Sequence, residues 1–420
     1  MAINLRAINW RAATVKVMLL SFFYYARLCG VCAFTYRKTP NEEAYETLSS
    51  YSSNTKIYTV KQCKWYKWFF GILRMLGAIG YIYGTLMMWY TADHFYNLIT
   101  FLQTNLMASG SVIMSISFLL WGEKFAHNIN YFLCIFRRAQ ALDPQQQVMG
   151  LQQLTSLLII NICVLNAAWG FLVILDYTDW REFAVVVIKL YLEIGIVLSL
   201  HIVSIGYMCV GSLYTYMNRY MREDLLPRAR SLDYVLRRNK SYCSQRYARK
   251  LIRLTRELNN CASIYNDIYQ VATTFHQNIR FQILFALMFD FSLLTTIMYS
   301  ILYLHTVVQV FDWDAVVFCI QIIIEVLIMI LSAYSAVQGG LGANKLSLDS
   351  VYMGGDTEWN RSVSFLSYIV EIFINRMNLY EFKPNVLGFF DISSDILVMF
   401  LSASVTYLTY ILQNTKLNQQ

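Results

Sequence analysis

Seven long apolar runs constrain this chain more than any other feature. They cover about 68–90, 97–121, 155–177, 184–213, 280–310, 315–338 and 394–413. Each is close to the roughly 20 residues a helix needs to cross the hydrocarbon core. Inside lipid a segment must satisfy its own backbone hydrogen bonds, so such runs fold as helices. All four prolines (Pro40, Pro144, Pro227 and Pro384) fall between the runs, as seven unbroken helices require. Only 14% of the residues are charged and 57% are hydrophobic, against roughly 25% charged in a soluble domain. A disordered chain and a collagen-like chain are thereby excluded, and an ordinary soluble enzyme is disfavoured. The expected fold is an all-α membrane protein with seven transmembrane helices and cytoplasmic helical extensions.

Charge sets the orientation. Of 34 Lys and Arg, 29 fall before the first run, between the second and third, between the fourth and fifth, and between the sixth and seventh. Basic loops stay cytoplasmic, so the N-terminus is expected inside and the C-terminus outside. A G-protein-coupled receptor has the reverse orientation. A multipass transporter is the other alternative, and the lack of internal repeats disfavours it. The net charge of +8 then reflects the cytoplasmic side, and no nucleic-acid partner is expected.

The organisation follows from these spans. Residues 1–67 form a cytoplasmic N-terminal region with an amphipathic segment over 14–36, lying on or under the membrane. Spans one to four occupy 68–213, with Arg74 snorkelling from the first. A cytoplasmic helical anchor covers 214–279, with Pro227 as its only breaker. Its basic stripe (Arg237, Arg238, Lys240, Arg246, Arg249, Lys250, Arg253, Arg256) is expected at anionic headgroups. Spans five and six cover 280–338. A cytoplasmic loop with an amphipathic helix over about 360–382 fills 339–393, and Gly339-Gly340-Leu341-Gly342 reads as a helix-ending turn. The last span is 394–413, and 414–420 is an extracellular tail.

Reactive chemistry is not indicated. Nine irregularly spaced cysteines imply no disulfide framework. Cys29-Gly30-Val31-Cys32 lacks the strand-turn-helix setting of a redox motif and reads as packing. No His or Cys spacing suits a metal, and no phosphate loop or nucleophile elbow occurs. No enzyme activity, cofactor or metal is expected.

Polar residues inside spans are costly and therefore candidates for function. Lys189 and Glu193 lie one turn apart in span four, and their mutual neutralisation is the alternative to a ligand contact. Glu325 in span six and Asp290 in span five read first as interhelical hydrogen-bonding residues. Toward the outer ends Trp169, Tyr177, Tyr191, Tyr299, Tyr303, His305 and Gln321 converge. An aromatic belt would explain many of them. An aromatic-walled pocket with a few polar groups would instead suit a small, moderately apolar ligand. With Lys189, Glu193 and Glu325 these residues form the candidate pocket.

The last span ends Thr406-Tyr407-Leu408-Thr409-Tyr410-Ile411-Leu412-Gln413. This resembles the C-terminal signature of insect gustatory receptors: Thr-Tyr, five mostly apolar residues, then Gln-Phe. Asn414 stands where the family has Phe. Tyr24-Tyr25-Ala26-Arg27-Leu28-Cys29-Gly30 also looks like the family's segment before the first span. The resemblance implies a ligand-gated cation channel similar to the insect odorant receptors. It would be a homo- or hetero-tetramer in the plasma membrane of a sensory neuron, passing monovalent and divalent cations. The small-molecule tastant would bind in the outer half of each subunit. The resemblance also implies that Gln413 lines the pore, with Asn414, Leu412 and Ile411 around the gate, and that Thr406 and Tyr407 pack at the subunit contact. Sugar-receptor members tend to carry Glu at the position of Leu408, which points to a bitter-type receptor.

Overall fold

The computed structural model describes residues 2–39, 57–89, 94–143, 151–173, 180–238, 245–303, 313–351, 372, 373, 375, 382–393 and 395–417. These are mostly helical: α1 (Ala2–Leu28), α2 (Lys64–Trp89), α3 (His94–Leu142), α4 (Leu151–Val173), α5 (Trp180–Tyr220), α6 (Leu226–Arg238), α7 (Gln245–Tyr303), α8 (Trp313–Val351) and α9 (Asp395–Leu417). The described residues of all seven apolar runs fall on these helices, as α2, α3, α4, α5, α7, α8 and α9. Among the described residues four stretches are long and apolar enough to cross a membrane: Lys64–Met87, Phe183–Leu232, Ala248–Tyr299 and Ala315–Gly342. Leu154–Leu165 and Val398–Tyr410 are shorter apolar helices. α2 turns Trp68, Ile72, Leu76, Ile79 and Tyr83 outward, each more than half exposed. A soluble protein would not leave such a stripe open, whereas lipid covers it.

The N-terminal region differs from the expected amphipathic segment. α1 begins before residue 14, and residues 34–39 are a strand. The helix is closed by Gly30 at φ +71°, with Val31 N–H bonded to the Ala26 carbonyl (2.9 Å) and Gly30 N–H to the Arg27 carbonyl (3.0 Å). This paired bonding around a left-handed glycine is the Schellman stop. The Cys-x-x-Cys spacing is therefore a helix cap followed by a buried Cys32, and both thiols are free. Strands β1 (Phe34–Thr39) and β2 (Ile57–Gln62) then pair antiparallel, Phe34 opposite Gln62. Asn130 of α3 extends this ladder with its side-chain amide, which takes the Val60 N–H (2.7 Å) and donates to the Val60 carbonyl (2.9 Å).

Three further expectations are corrected. Pro227 does not break the chain, because the helix widens into a π-turn just before it and so takes a residue without an N–H. A π-turn, Met221–Leu225, joins α5 to α6 without a gap. The glycines at 339, 340 and 342 do not end a helix, since α8 runs on to Val351. They let α8 approach α5: a Cβ on Gly339 would lie 2.6 Å from the Tyr214 Cβ, and one on Gly342 2.9 Å from Asn218 Nδ2. Small residues at a crossing are how lipid-embedded helices gain close packing. Asn218 locks the crossing by donating to the Gly339 carbonyl (2.8 Å) and accepting from Tyr265 of α7 (2.7 Å). Arg74 does not snorkel but is 3% exposed inside the bundle.

α7 is a single helix of 59 residues, about 88 Å long at ~1.5 Å per residue. Counted from Arg280, the stripe carrying Arg249, Lys250, Arg253 and Arg256 lies about 35–45 Å further along the axis. The inner part of α7 is fastened to α3. Asp267 accepts from Arg138 (2.5 Å) and from the Tyr131 hydroxyl (2.8 Å). Burial, and after it the hydrogen bond to Asp267, holds the Tyr131 phenol above its ordinary range. The amphipathic helix expected over 360–382 lies outside the described residues, apart from helical positions 372, 373 and 375 and the extended Phe382. Of these, Phe373 is buried edge-on to Tyr265.

Candidate functional site

Three helices bring acids together inside the bundle. Glu193 (α5), Asp290 (α7) and Glu325 (α8) are 7%, 2% and 1% exposed. Their charges act on one another. Gln321, one turn before Glu325, donates to Glu325 Oε1 (2.8 Å) and reaches the Cys163 carbonyl of α4 (3.4 Å). His201, fully buried, holds its Nε2 3.8 Å from the same Glu325 oxygen. Among the described residues neither ring nitrogen of His201 has a hydrogen-bond partner, nor does Oδ2 of Asp290. Lys189, half-buried one turn from Glu193, makes no ion pair with it among the described residues. Its charge acts on Glu193 from a distance.

Some of the residues expected at a pocket come together here. Glu193, Gln321 and Glu325 share the cluster, with Lys189 at its edge. Tyr191 faces elsewhere: its ring lies under the Arg74 guanidinium, 5.2 Å from its centroid. Tyr299 is buried against Leu408 of α9, where it packs on the last helix. The side chains of Trp169 and Tyr303, and residues Tyr177 and His305 altogether, lie outside the described residues. Sequence reading missed His201 as a member of the cluster. Its signal was spacing: eight residues after Glu193, it lies two turns down the same helix face.

Arg74 forms a second buried polar centre. It donates to the Cys29 carbonyl (3.0 Å) and the Ser111 hydroxyl (3.3 Å), and Gly195 leaves room for its guanidinium. No carboxylate pairs with it among the described residues. Its side chain fills space at the meeting of α2, α3 and α5. Arg74→Ala is therefore expected to lower the melting temperature of the purified protein by several degrees, through the cavity it leaves. Arg74→Met should melt at or above the parent, because it keeps the volume and removes an unpaired buried charge. The reverse order in a thermal-melt assay would mean that charge rather than volume joins these helices.

A hydrogen-bond chain leads from the bundle to the last helix. Tyr207 (α5) lies 2.6 Å from His276 Nδ1 (α7), and His276 Nε2 lies 2.7 Å from the Asn385 carbonyl. A carbonyl only accepts, so Nε2 carries a proton. In the neutral ring Nδ1 then accepts from the Tyr207 hydroxyl. Asn385 opens a small hairpin, β3 (Asn385–Val386) and β4 (Phe390–Asp391). Leu387 and Gly388 both have positive φ (55° and 82°), as a tight mirror-image turn demands. The Asn385 side chain binds Gly388 N–H (2.5 Å) and Asp391 (2.7 Å). α9 starts four residues later, at Asp395.

α9 carries the residues expected at the pore. Thr406 is exposed and its hydroxyl bonds back to the Ser402 carbonyl (2.8 Å). Tyr407 is 44% exposed, its ring against Phe291 of α7. Gln413 is exposed. The side chains of Ile411, Leu412 and Asn414 lie outside the described residues. Val398, Met399, Tyr407 and Tyr410, with Phe291, line an open apolar groove along α9.

Known proteins match this arrangement. The family model of the 7tm chemosensory receptors matches residues 19–418. Putative gustatory receptor 93c of Drosophila melanogaster is 26% identical over 288 residues, covering 67% of this chain and 68% of the relative. Putative gustatory receptor 93b of the same fly is 25% identical over 327 residues, 74% of each. The fly's gustatory receptor for bitter taste 93a is 26% identical over 227 residues, 53% of this chain and 51% of the relative. Among solved structures, the insect olfactory receptor OR5 from Machilis hrabei superposes with a TM-score of 0.59 at 10% identity, covering 95% of this chain and 98% of that one. A second structure of that receptor, in complex with eugenol, superposes at 0.56.

Proposed function

This chain belongs to the 7tm chemosensory receptor family, and from that premise we propose that it is a gustatory receptor acting as a tastant-gated, nonselective cation channel or a subunit of one. The observation that carries the reading is the polar path from the bundle to α9. Helices α5, α7 and α8 hold a buried cluster fit for a ligand, and the same α5 and α7 grip the hairpin that feeds the last helix. A ligand that draws these helices together pulls on α9 through Tyr207, His276 and Asn385. It opens the pore only by binding the open state better than the closed one.

In this reading all seven apolar runs cross the plasma membrane, with the N-terminus and the anchor region 214–279 inside and 414–420 outside. Four subunits, of this chain alone or with related chains, surround the pore. The apolar groove along α9, with Thr406 and Tyr407, becomes a subunit contact. Gln413 lines the outer pore with Asn414, and Leu412 or Ile411 closes it by dewetting. The likeness to a receptor described for bitter taste and Leu408 in place of an acid support a bitter tastant.

Whole-cell recording from a heterologous cell expressing the chain tests the proposal. Tastant should evoke a current, and Gln413→Ala should shift its reversal potential under biionic conditions while leaving surface expression unchanged. A C-terminal tag that stains only after permeabilisation would overturn the orientation and the channel with it.

A further inference from the structure

The buried acids have too little positive charge around them. Glu193, Asp290 and Glu325 come from three helices and lie within the long apolar stretches of each. Among the described residues no Lys or Arg nitrogen lies within 4.0 Å of any of them. The basic nitrogen that does come that close is His201 Nε2, 3.8 Å from Glu325. Arg74, also buried, is engaged by Ser111, the Cys29 carbonyl and the Tyr191 ring. Carboxylates in such surroundings demand a counter-charge or a proton. Two unsatisfied groups mark where a counter-charge would sit. Among the described residues Asp290 has an oxygen without a donor, and the wholly buried His201 has both ring nitrogens without a hydrogen-bond partner. The imidazole is an independent sign, because it belongs to no acid and faces Glu325.

Two kinds of cation could answer. A metal ion needs several oxygens in a tight shell, and no group of three or more His, Cys, Asp or Glu among the described residues could hold one. The acids instead act on one another from separate helices, with Phe22 edge-on to His201 and apolar α5 and α8 residues around them. An ammonium group on an apolar body fits both halves of that environment. A neutral sugar brings hydroxyls but no charge.

We propose that the tastant of this receptor carries a protonated amine, whose N–H donates to Asp290 and Glu325 while Glu193 supplies the remaining negative charge. Neutral His201 accepts a further N–H or orients Glu325. This rests on the reading of the chain as a tastant receptor and names the ligand class of its site.

The test is ligand-induced thermal stabilisation of the purified full-length protein. The probes are a panel of primary amines, each matched to its uncharged carbon isostere, such as 2-phenylethylamine against propylbenzene. Members of the amine set should raise the melting temperature while their isosteres do not. Asp290→Asn and Glu325→Gln keep shape and remove charge, and each should weaken the amine's apparent Kd about tenfold or more. Equal stabilisation by amine and isostere would overturn the proposal in favour of a purely apolar site. Stabilisation by sodium chloride but not by choline chloride, matching that of the amine, would overturn it in favour of an inorganic cation. No response to any amine would also overturn it. Should a variant fail to purify, the amine–isostere comparison on the unaltered chain still decides. Amine binding without any current would keep this inference and remove the channel reading. Currents evoked by neutral compounds, with no amine binding, would do the opposite.

Discussion

Gly211→Val is expected to remove the folded receptor almost completely. At Gly211 a Cβ would lie 2.8 Å from Ser335 Oγ and 3.1 Å from both the Ala336 nitrogen and the Ser335 carbonyl carbon. Two of those three neighbours are backbone, so no side-chain rotation relieves the clash. Gly339, on the facing helix, is equally tight against Tyr214, and α5 can yield on neither side. Forcing two branched carbons into this crossing costs on the order of 3 kcal/mol or more, a large share of a typical folding free energy. Fluorescence-detected size exclusion of a tagged receptor should show the monodisperse peak replaced by aggregate. Gly340→Ala is the control, since its added Cβ would meet Tyr214 Cζ only at 3.9 Å, and its peak should persist. A normal peak for Gly211→Val would mean that α5 and α8 do not pack through this seam.

These glycines also show where sequence reading stops. The length and position of the apolar runs follow from one-dimensional hydropathy, so every run became a helix. The meaning of Gly339-Gly340-Leu341-Gly342 did not, because a glycine that ends a helix and one that admits a neighbouring helix look alike until the neighbour is known. Arg74 misled for the same reason. A basic residue near a span's end can reach water or fold inward, and Ser111, Gly195 and the Cys29 carbonyl decide for inward from distant parts of the chain. The β1–β2 pair escaped notice because seventeen residues separate its strands in sequence and neither strand alternates cleanly.

The candidate site divides along the same line. Glu193, Gln321 and Glu325 were legible because ionisable and amide groups in apolar runs are conspicuous whatever they touch. Asp290 was equally visible, but its partners lie on α5 and α8, and only the packing shows that they are acids. His201 and His276 were visible as letters and silent as functions. A lone histidine acquires meaning from what faces each ring nitrogen: for His201 an acid and no donor or acceptor, for His276 a hydroxyl on one side and a carbonyl on the other.

His276→Ala should therefore uncouple tastant from the pore more than any pocket substitution does, without emptying the membrane of receptor. The imidazole touches both Tyr207 on α5 and the hairpin ahead of α9. Phe382 packs on both rings, which keeps the aromatic contact in place when the hydrogen bonds are lost. Tyr207→Phe removes a single hydroxyl and leaves that packing whole, so it isolates the hydrogen bond, worth about 1 kcal/mol. If coupling runs through this chain, Tyr207→Phe should raise the half-maximal tastant concentration about fivefold. His276→Ala should raise it further and cut the maximal current at normal surface density. The double variant should be no worse than His276→Ala alone, because both changes break one path. Hydrogen exchange on the purified protein supplies a readout independent of current. In His276→Ala the Phe389 and Ile392 amides, which bond to the Val386 and Pro384 carbonyls, should exchange about tenfold faster, while peptides across the Arg138–Asp267 contact stay unchanged. Additive effects of the two substitutions on the dose–response curve would place the coupling elsewhere, and unchanged exchange in the hairpin would show that His276 does not hold it.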